Sequence, residues 1–502
     1  MLPPRPLLLL AVLAAPVAAV EAAFNVTRSL HGIGPESVEN FAGYVTVNRT
    51  RHLFYWFFES RGNPATDPFI LWMTGGPGCS GMLALLVENG PYHVGAGGSL
   101  TLNPYSWNEK ANILFIDQPV GTGLSYNSNP LDIGVTNELE MAANMYDFFQ
   151  SWFAAFPKYA QLPFFIAAES YGGHYAPALA HFIQTANQAR TKPRINLRGV
   201  LIGDGLVDPV HQYPSYPAFA KAHQQQMQLT DGAIGVMEAA LLLCVPLAAA
   251  CDGSNVTCQQ CISPHTSGGG CAPPPDDPHG LPCCRDEQGV PCTPEVLRFL
   301  ACSNAYDFCN FGELLPVQMA GRVNPYDVRL PCEVKPLCYD FSAQTEWMNR
   351  PETLAALGAR KKSWASCNRE VEIKLVFAGD WMKTYRASIA ALLEDDIPVL
   401  IYHGEYDFIV NWMGGRAWTN ALQWSGQAGF LLSKNSTFTV DGKPAGSFKS
   451  YRGLTFMKLT DAGHLAPMDQ PAATLEMVAK FIRGEPFVQL PHVVEAQNTG
   501  AA

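Results

Sequence analysis

The sequence predicts an α/β fold with a mostly parallel central sheet, interrupted by one cysteine-rich insertion. Short apolar runs alternate with helical patterns, and this alternation stops between about residues 208 and 380. Runs that are apolar along almost their whole length, such as residues 113–117, are typical of strands buried on both faces of a parallel sheet. In addition, 12 of the 14 cysteines lie between Cys244 and Cys338, inside the interruption.

Hydrophobic periodicity and β propensity predict the individual helices and strands. Apolar residues at helical spacing predict a helix over residues 139–153, with Asn137 as its N-cap. Further helices are expected over residues 174–188 and 472–482. Runs rich in β-branched and aromatic residues predict strands, at residues 44–47, 53–59, 69–73, 113–117, 164–168, 199–203, 399–403 and 455–459.

The N-terminus has the layout of a secretory signal peptide over residues 1–22. Arg5 precedes an apolar run over residues 7–20, and small residues follow it as cleavage points. The run contains Pro16 and is shorter than the roughly 20 residues of a membrane anchor. No later stretch is expected to span a bilayer. We therefore expect a secreted protein or, as the alternative, one kept in a vacuolar or lysosomal lumen.

Composition and cysteine content agree with that route. Charged residues make up only 15% of the 502 residues and the net charge is −11, which argues against a nucleic-acid partner. A cysteine-rich region in an exported chain predicts disulfides rather than a metal site, so no metal is expected. The oligomeric state stays open. Glycosylation sequons occur at Asn25, Asn48, Asn255 and Asn435.

A candidate nucleophile follows the predicted strand at residues 164–168. Ser170 stands in an A-x-S-x-G pattern, in which Ala168 takes the place of the usual first glycine, and a helix is predicted to follow. Such a strand–turn–helix lifts a serine hydroxyl above the sheet, as in a nucleophile elbow. The same pattern also fits a plain structural turn, so it is not decisive alone.

A serine nucleophile needs a base and an orienting acid. Asp407 and His464 follow the predicted strands 399–403 and 455–459, and their order after Ser170 is the order of α/β-hydrolases. Glu405 competes with Asp407 for the role of acid. A glycine-rich turn at residues 75–79 follows another strand and could offer backbone N–H groups to an oxyanion, together with the N–H of Tyr171.

These motifs resemble the serine carboxypeptidase family. The matching segments are residues 72–80, 117–126, 169–175, 404–412 and 463–469, and the resemblance covers about residues 40 to 485. It implies an α/β-hydrolase domain in two parts, 23–207 and 381–490, with a cysteine-rich cap insertion at 208–380. It makes Ser170 the nucleophile, His464 the base and Asp407 the acid, with the N–H groups of Gly76 and Tyr171 as the oxyanion hole.

The resemblance also implies binding residues and disulfides. Glu405 stands where the family commonly has Asp. The substrate carboxylate would meet Gly75, Glu88 and Glu169, with Thr74 where the family has Asn. The implied disulfides are Cys79–Cys367 and Cys332–Cys338, and the pairing of the ten cysteines from Cys244 to Cys309 stays open. The implied pocket for the departing C-terminal residue is lined by Leu83, Val87, Tyr326, Tyr339 and Leu465.

The resemblance therefore implies an exopeptidase that works at acid pH through an acyl-enzyme, without a cofactor. Its substrates would be the C-termini of peptides and proteins. One alternative is an acyltransferase of the same family, and another is a binding or stabilising partner protein. A generic esterase would have no use for Glu88 and Glu169, because its substrate lacks a carboxylate.

Overall fold

A 12-stranded sheet is the centre of the computed structural model. The structure describes residues 24–27, 33–190, 192–252, 284–285, 291–292, 294–320, 322–335 and 337–487. The predicted signal peptide and the sequon at Asn255 lie outside these residues.

The strands are numbered in chain order, beginning with those of the first part of the chain. They are β1 Phe24–Thr27, β2 Asn40–Val47, β3 Arg51–Phe58, β4 Phe69–Met73, β5 Tyr92–Val94, β6 Leu100–Leu102, β7 Asn112–Ile116, β8 Tyr126–Asn127, β9 Phe164–Glu169 and β10 Leu197–Gly203. The later strands are β11 Cys284–Arg285, β12 Pro291–Cys292, β13 Val323–Asn324, β14 Asp327–Pro331, β15 Val399–Gly404, β16 Ser436–Val440, β17 Lys443–Tyr451 and β18 Leu454–Leu459.

The middle of the sheet is parallel. Strands β7, β4, β9, β10, β15 and β18 are neighbours in that order, and each adjacent pair is parallel. Antiparallel strands flank them, β1–β2–β3 on one side and β17–β16 on the other. All eight predicted strands are present as β2, β3, β4, β7, β9, β10, β15 and β18. The predicted mostly parallel α/β architecture is confirmed.

Helices cover both faces of the sheet. The N-cap prediction at Asn137 is confirmed, because its side chain accepts a hydrogen bond of 3.0 Å from the backbone N–H of Glu140. The described α-helices are Gly81–Val87, Glu138–Ala155, Gly172–Ala189, Pro209–Gln212, Tyr216–Ala222, Gln224–Met227, Asp231–Asp252, Pro294–Glu313, Leu315–Ala320, Ser342–Met348, Pro351–Ala356, Arg369–Phe377, Arg386–Glu394, Trp412–Ala421, Gln427–Leu432, Ala466–Asp469 and Pro471–Arg483.

Two hydrophobic cores lie on opposite faces of the sheet, and strand alternation supplies both. In β3, Tyr55 and Phe57 enter one core, while Phe54 and Trp56 enter the other. Helices 138–155 and 172–189 pack on the first core, and helices 81–87 and 471–483 pack on the second. Because both faces are covered, the carboxyl ends of the parallel strands are the part of the sheet where a site can open to solvent.

The chain leaves the sheet after β10 and returns to it at β15. Between them, helix Asp231–Asp252 packs along helix Pro294–Glu313, and two disulfides join the pair, Cys244–Cys309 and Cys251–Cys302. These helices share a third hydrophobic core with residues near β15. We retain the boundaries 23–207, 208–380 and 381–490 as a proposed division of the chain.

The disulfides implied by the family resemblance, Cys79–Cys367 and Cys332–Cys338, are both present. The first has a sequence separation of 288 residues and links the glycine-rich turn to the far end of the insertion. Of the cysteines whose pairing was left open, Cys258, Cys261, Cys271 and Cys283 lie outside the described residues.

The expectation that no later stretch could span a bilayer is wrong on length and composition. Helix Asp231–Asp252 is long and apolar enough to cross a membrane, and 28% of its most apolar window is buried. The sequence pattern did not indicate this run because Pro246 stands inside it and the surrounding region is rich in cysteines. Core helices pass the same criteria, so the helix is a weak candidate for a span.

We expect reduction, and not chelation, to destabilise the protein. In the chain-entropy model, a disulfide that closes a loop of 51 or 65 residues, as these two do, stabilises the fold by about 4 kcal/mol. A reducing agent should therefore lower the thermal unfolding midpoint strongly, whereas a metal chelator should leave both the midpoint and the activity unchanged. Stoichiometric zinc in the purified protein, or loss of activity with the chelator, would contradict the disulfide interpretation.

Candidate active site

The predicted catalytic residues lie at one edge of the sheet because each follows a strand of the same parallel set. The glycine-rich turn follows β4, Ser170 follows β9, Asp407 follows β15 and His464 follows β18. These strands are parallel neighbours or near neighbours, so their carboxyl ends lie along one edge of the sheet. Residues far apart in the sequence are thereby brought together at the place where α/β proteins bind ligands.

Ser170 occupies a strained turn between β9 and the helix Gly172–Ala189. Its φ is +62°, which is the left-handed region that non-glycine residues seldom adopt. Its N–H donates to the carbonyl of Gly203 at 3.0 Å, and its own carbonyl accepts from the N–H of Gly173 at 2.9 Å. Its neighbours on either side are buried while Ser170 is partly exposed. This is the geometry of a nucleophile elbow.

The departure at Ala168 is accommodated inside the elbow. A side chain at Gly172 would place its Cβ 2.7 Å from the Cβ of Ala168. The small residue that the turn requires therefore stands at position 172, opposite the extra methyl group of Ala168. A-x-S-x-G is sterically compatible with the elbow because its second glycine is retained.

His464 and Asp407 form a buried hydrogen-bonded pair. The distance from His464 Nδ1 to Asp407 Oδ2 is 2.9 Å, and the backbone N–H of Val410 donates to the same Oδ2 at 3.2 Å. When Nδ1–H donates to the carboxylate, Nε2 is left as the basic nitrogen. Among the two candidate acids, Asp407 contacts the histidine, whereas Glu405 pairs with Lys458.

The glycine-rich turn lies directly against the elbow. A Cβ on Gly75 would come within 2.5 Å of the backbone nitrogen of Tyr171, so only glycine allows this approach. The next residue, Gly76, has a φ of +111°. Tyr171 immediately precedes the helix Gly172–Ala189, whose N-terminal dipole also favours a negative charge. The arrangement suits an oxyanion hole formed by the N–H groups of Gly76 and Tyr171.

Glu88 and Glu169 form a buried pair next to the elbow. Glu88 caps the C-terminus of helix Gly81–Val87, and Glu169 is the residue before Ser170. Both side chains are buried, and each affects the pKa of the other; a hydrogen bond between two such carboxyl groups requires one shared proton. Burial raises the pKa of Glu88 to about 7, although the interaction with Glu169 and the nearby His464 oppose the rise. Burial and the neighbouring Glu88 raise the pKa of Glu169 well above its ordinary value.

Thr74 directly follows β4, beside the glycine-rich turn. Its hydroxyl oxygen accepts a hydrogen bond of 3.0 Å from the indole N–H of Trp72. The hydroxyl proton of Thr74 is then free to donate to a ligand. The indole contact explains how threonine is held in place where the family has asparagine.

The five residues predicted for the leaving-residue pocket fall into two groups. The ring of Tyr326 lies 5.2 Å from that of His464 and 6.2 Å from that of Tyr339, and Leu465 follows the histidine. Leu83 and Val87 lie four residues apart on the helix that ends at Glu88. A separate cavity of about 680 Å³, between helices 138–155 and 172–189, contains none of the predicted site residues.

Two buried acids were missed by sequence reasoning. Asp204 follows β10 at the same sheet edge as the triad, and an acid placed directly after a predicted strand was the available signal. Asp380 accepts a 2.9 Å hydrogen bond from the hydroxyl of Tyr171. Within the described part of the chain, Asp204, Asp407 and His464 are the only group of three or more potential ligand side chains close enough to hold a metal ion. No metal is expected there, because the Asp407–His464 hydrogen bond already uses two of these ligand atoms.

The fold and the site define a serine hydrolase of the α/β-hydrolase class. A family model described as serine carboxypeptidase matches residues 32–484. The chain therefore belongs to the serine carboxypeptidase family, and it is a serine-type carboxypeptidase.

Individual relatives support the same assignment. Carboxypeptidase Y of Candida albicans is 38% identical over 455 residues, which cover 90% of this chain and 75% of that protein. Serine carboxypeptidase-like 48 of Arabidopsis thaliana is 37% identical over 486 residues, covering 93% and 83%. A prohormone-processing carboxypeptidase of Saccharomyces cerevisiae, 24% identical, has the same fold with a TM-score of 0.71, and the match covers 91% of this chain and 94% of that one.

Proposed function

We propose that the enzyme removes C-terminal residues from peptides and proteins through an acyl-enzyme on Ser170, and that it works best in mild acid. The observation that carries this proposal is the buried Glu88–Glu169 pair directly beside the elbow. A hydrolase that acts on internal bonds or on simple esters has no need for two carboxyl groups in this position. An enzyme whose substrate ends in a free carboxylate does need them, because they can bind that carboxylate.

The site residues supply each step of peptide cleavage. His464 Nε2 takes the proton of the Ser170 hydroxyl while Oγ attacks the carbonyl carbon of the last peptide bond. The N–H groups of Gly76 and Tyr171 stabilise the negative oxygen that forms. His464 then gives its proton to the leaving amine, and the C–N bond breaks. A water molecule, activated by the same histidine, hydrolyses the acyl-enzyme and restores Ser170.

The glutamate pair recognises the substrate carboxylate as a hydrogen-bond donor. Three ionised carboxylates in one small site would repel strongly, so the pair holds at least one proton when the substrate binds. The protonated carboxyl group donates to the substrate, and the Thr74 hydroxyl and the Gly75 N–H add two further donors. This recognition places the last peptide bond over Ser170 and restricts cleavage to the C-terminus.

We also propose that the protein enters the secretory route. The supporting observations are the layout of the first 22 residues and the exposed positions of the sequons at Asn48 and Asn435. The disulfides fit an oxidising compartment. Secretion and retention in a vacuolar or lysosomal lumen both agree with these features. N-terminal sequencing of the mature protein tests the route.

Peptides that end in a large apolar residue are expected to be cleaved faster than peptides that end in Asp or Glu. The proposed pocket is apolar and aromatic, and each methylene group buried in such a pocket is worth about 1–3 kcal/mol, so the preference should be graded. The experiment compares kcat/KM for matched blocked dipeptides that differ only in their C-terminal residue, and identifies the released amino acid.

A variant pair connects this preference to the structure. Val87→Ala should weaken the discrimination, whereas Leu139→Ala, at a position that is 71% exposed on another helix, should leave it unchanged. If acidic residues leave fastest, the pocket assignment is wrong. If no free amino acid is released from any of the peptides, the exopeptidase proposal itself fails.

A further inference from the structure

We propose that Asp204 is a positioning residue for the triad: as a protonated acid, it donates a hydrogen bond to Asp407 and fixes the carboxylate orientation that serves His464. The inference deepens the proposed function and rests on the roles assigned there to Asp407 and His464. Asp204 lies at the carboxyl end of β10, between the strands that precede Ser170 and Asp407.

The backbone directs the Asp204 side chain into the site. Its φ is +43°, in the left-handed region, and its N–H donates to the carbonyl of Tyr402 at 2.8 Å. The side chain is fully buried. A buried carboxyl group on a strained backbone is costly, and such strain is found mainly where the surrounding structure needs the residue for function.

The hydrogen bonds around the two acids leave one oxygen of each carboxyl group without a donor. Asp204 Oδ1 accepts from the N–H of Gly404 at 2.8 Å. Asp407 Oδ2 accepts from His464 and from the N–H of Val410. Neither Asp204 Oδ2 nor Asp407 Oδ1 has an N–H or O–H donor from the residues that the structure describes.

The leftover oxygens account for the contact between the acids. A carboxyl oxygen of Asp204 lies within 4.8 Å of one of Asp407, and each acid has a buried oxygen without a donor, so a hydrogen bond between the two acids would satisfy both. Two carboxyl groups can form such a bond only when one of them carries a proton. One polar side-chain atom from each of Asp204, Asp407 and His464 lies within 4.8 Å of the other two. The three side chains therefore form one cluster.

The proton belongs on Asp204. Asp407 already accepts hydrogen bonds from the imidazole and from a backbone N–H, so it is the acceptor of the pair. Burial and the charge of Asp407 raise the pKa of Asp204 well above its ordinary value. His403 lies 3.7 Å away, but it supplies no cation, because burial lowers its pKa to about 3.

The other titratable groups around Asp204 act in the same direction. The carboxyl groups of Glu169 and Asp469 disfavour a second negative charge, and the buried phenol of Tyr402 is neutral. His464 contacts Asp407 rather than Asp204. In the working enzyme Asp204 is therefore a neutral donor. When it loses its proton at higher pH, two adjacent buried carboxylates repel, and the orientation of Asp407 is no longer fixed.

Two substitutions separate the hydrogen bond from the titration. Asp204→Asn keeps an acceptor for Gly404 and a donor for Asp407, but it cannot ionise. Asp204→Ala removes the donor. We expect the Asn variant to keep kcat within about threefold and to lose the part of the alkaline decline that Asp204 causes. We expect the Ala variant to lose about 10- to 100-fold in kcat, with little change in KM, which is less than the loss of on the order of 10⁴ on removing a triad acid.

The kinetics should be measured from pH 4 to 9 on a C-terminally amidated or ester substrate, so that the glutamate pair does not contribute. Asp208→Asn is the matched control, because Asp208 is equally buried but pairs with His211 at 2.6 Å and Arg386 at 3.2 Å. Its kcat and pH profile should match those of the wild type. Thermal unfolding checks that each variant is folded.

Each result supports or overturns the proposal. Retained kcat in Asp204→Ala, an equal loss of kcat in both Asp204 variants, or an unchanged pH profile in Asp204→Asn would overturn it. If Asp204→Ala does not fold, the pH profile of Asp204→Asn decides alone. Failure of the proposed function is distinguishable, because an active Ser170→Ala variant would refute the triad whatever the Asp204 variants do.

Discussion

Replacing Ser170 by Ala is expected to lower kcat by on the order of 10⁶, since the remaining residues cannot attack the substrate without the nucleophile. The fold should be unaffected. Alanine keeps the Cβ of serine, so the cost of the left-handed backbone at φ +62° does not change. The measurements are kcat on a blocked dipeptide and the thermal unfolding midpoint. A serine-directed phosphonylating reagent should label the wild type at one residue and leave the variant unlabelled.

The other triad positions provide internal controls. His464→Ala should cost nearly as much as Ser170→Ala, and the double variant should lose little more, because the residues act as a unit. Asp407→Asn should impair kcat far more than Glu405→Gln, since Asp407 contacts His464 while Glu405 pairs with Lys458. Retained peptidase activity in Ser170→Ala, or labelling at another residue, would refute the nucleophile. The reverse order of the two acid variants would show that Glu405 is the triad acid.

The second large effect is a loss of affinity for free-acid substrates as the pH rises. The pKa of Glu88 is raised to about 7, and that of Glu169 is raised well above its ordinary value. At pH below this coupled titration the pair can donate to the substrate carboxylate. Above it the pair gains negative charge, and donation is replaced by repulsion. We therefore expect kcat/KM for free-acid peptides to be highest in mild acid and to fall towards neutral pH and above.

A matched pair of substrates isolates this effect. A peptide with an amidated C-terminus lacks the third charge, so its kcat/KM should decline much less over the same pH range. Replacing both Glu88 and Glu169 by Gln should remove the difference between the acid and the amide. Glu405→Gln serves as the control, because this glutamate belongs to another ion pair and its loss should leave the difference intact. Parallel pH profiles for the two substrates would show that the glutamates do not recognise the substrate carboxylate.

The raised pKa values of Glu88 and Glu169 should also make the folded protein less stable as the pH rises. A carboxyl group whose pKa is raised by folding binds more protons in the folded state than in the unfolded state. The free energy of unfolding therefore falls as the pH rises from the ordinary glutamate value through the raised one. For Glu88 this window extends from 4.5 to about 7. Replacing both glutamates by Gln should therefore raise the free energy of unfolding at neutral pH above that of the wild type.

Much of the fold was predictable because it depends on local patterns. The eight predicted strands are all present, since continuous apolar runs bounded by turn residues are characteristic of a buried parallel sheet. Ser170, Asp407 and His464 were identifiable because each follows such a strand in the order of the α/β-hydrolases. The hairpin of β16 and β17 was missed: its strands are polar and mostly not fully buried, and their pairing depends on the edge of the sheet that β18 offers.

The sequence by itself determined the class of fold, the nucleophile and the positions after strands where the other site residues stand. These features depend on the spacing of apolar residues, glycines and a few reactive side chains. Only the tertiary structure decided that Asp407 rather than Glu405 contacts His464, and that Asp204 lies against the triad. Both depend on how β10 and β15 align and on which carboxyl groups are removed from water. Burial and contacts between distant residues set those properties, and a one-dimensional pattern does not contain them.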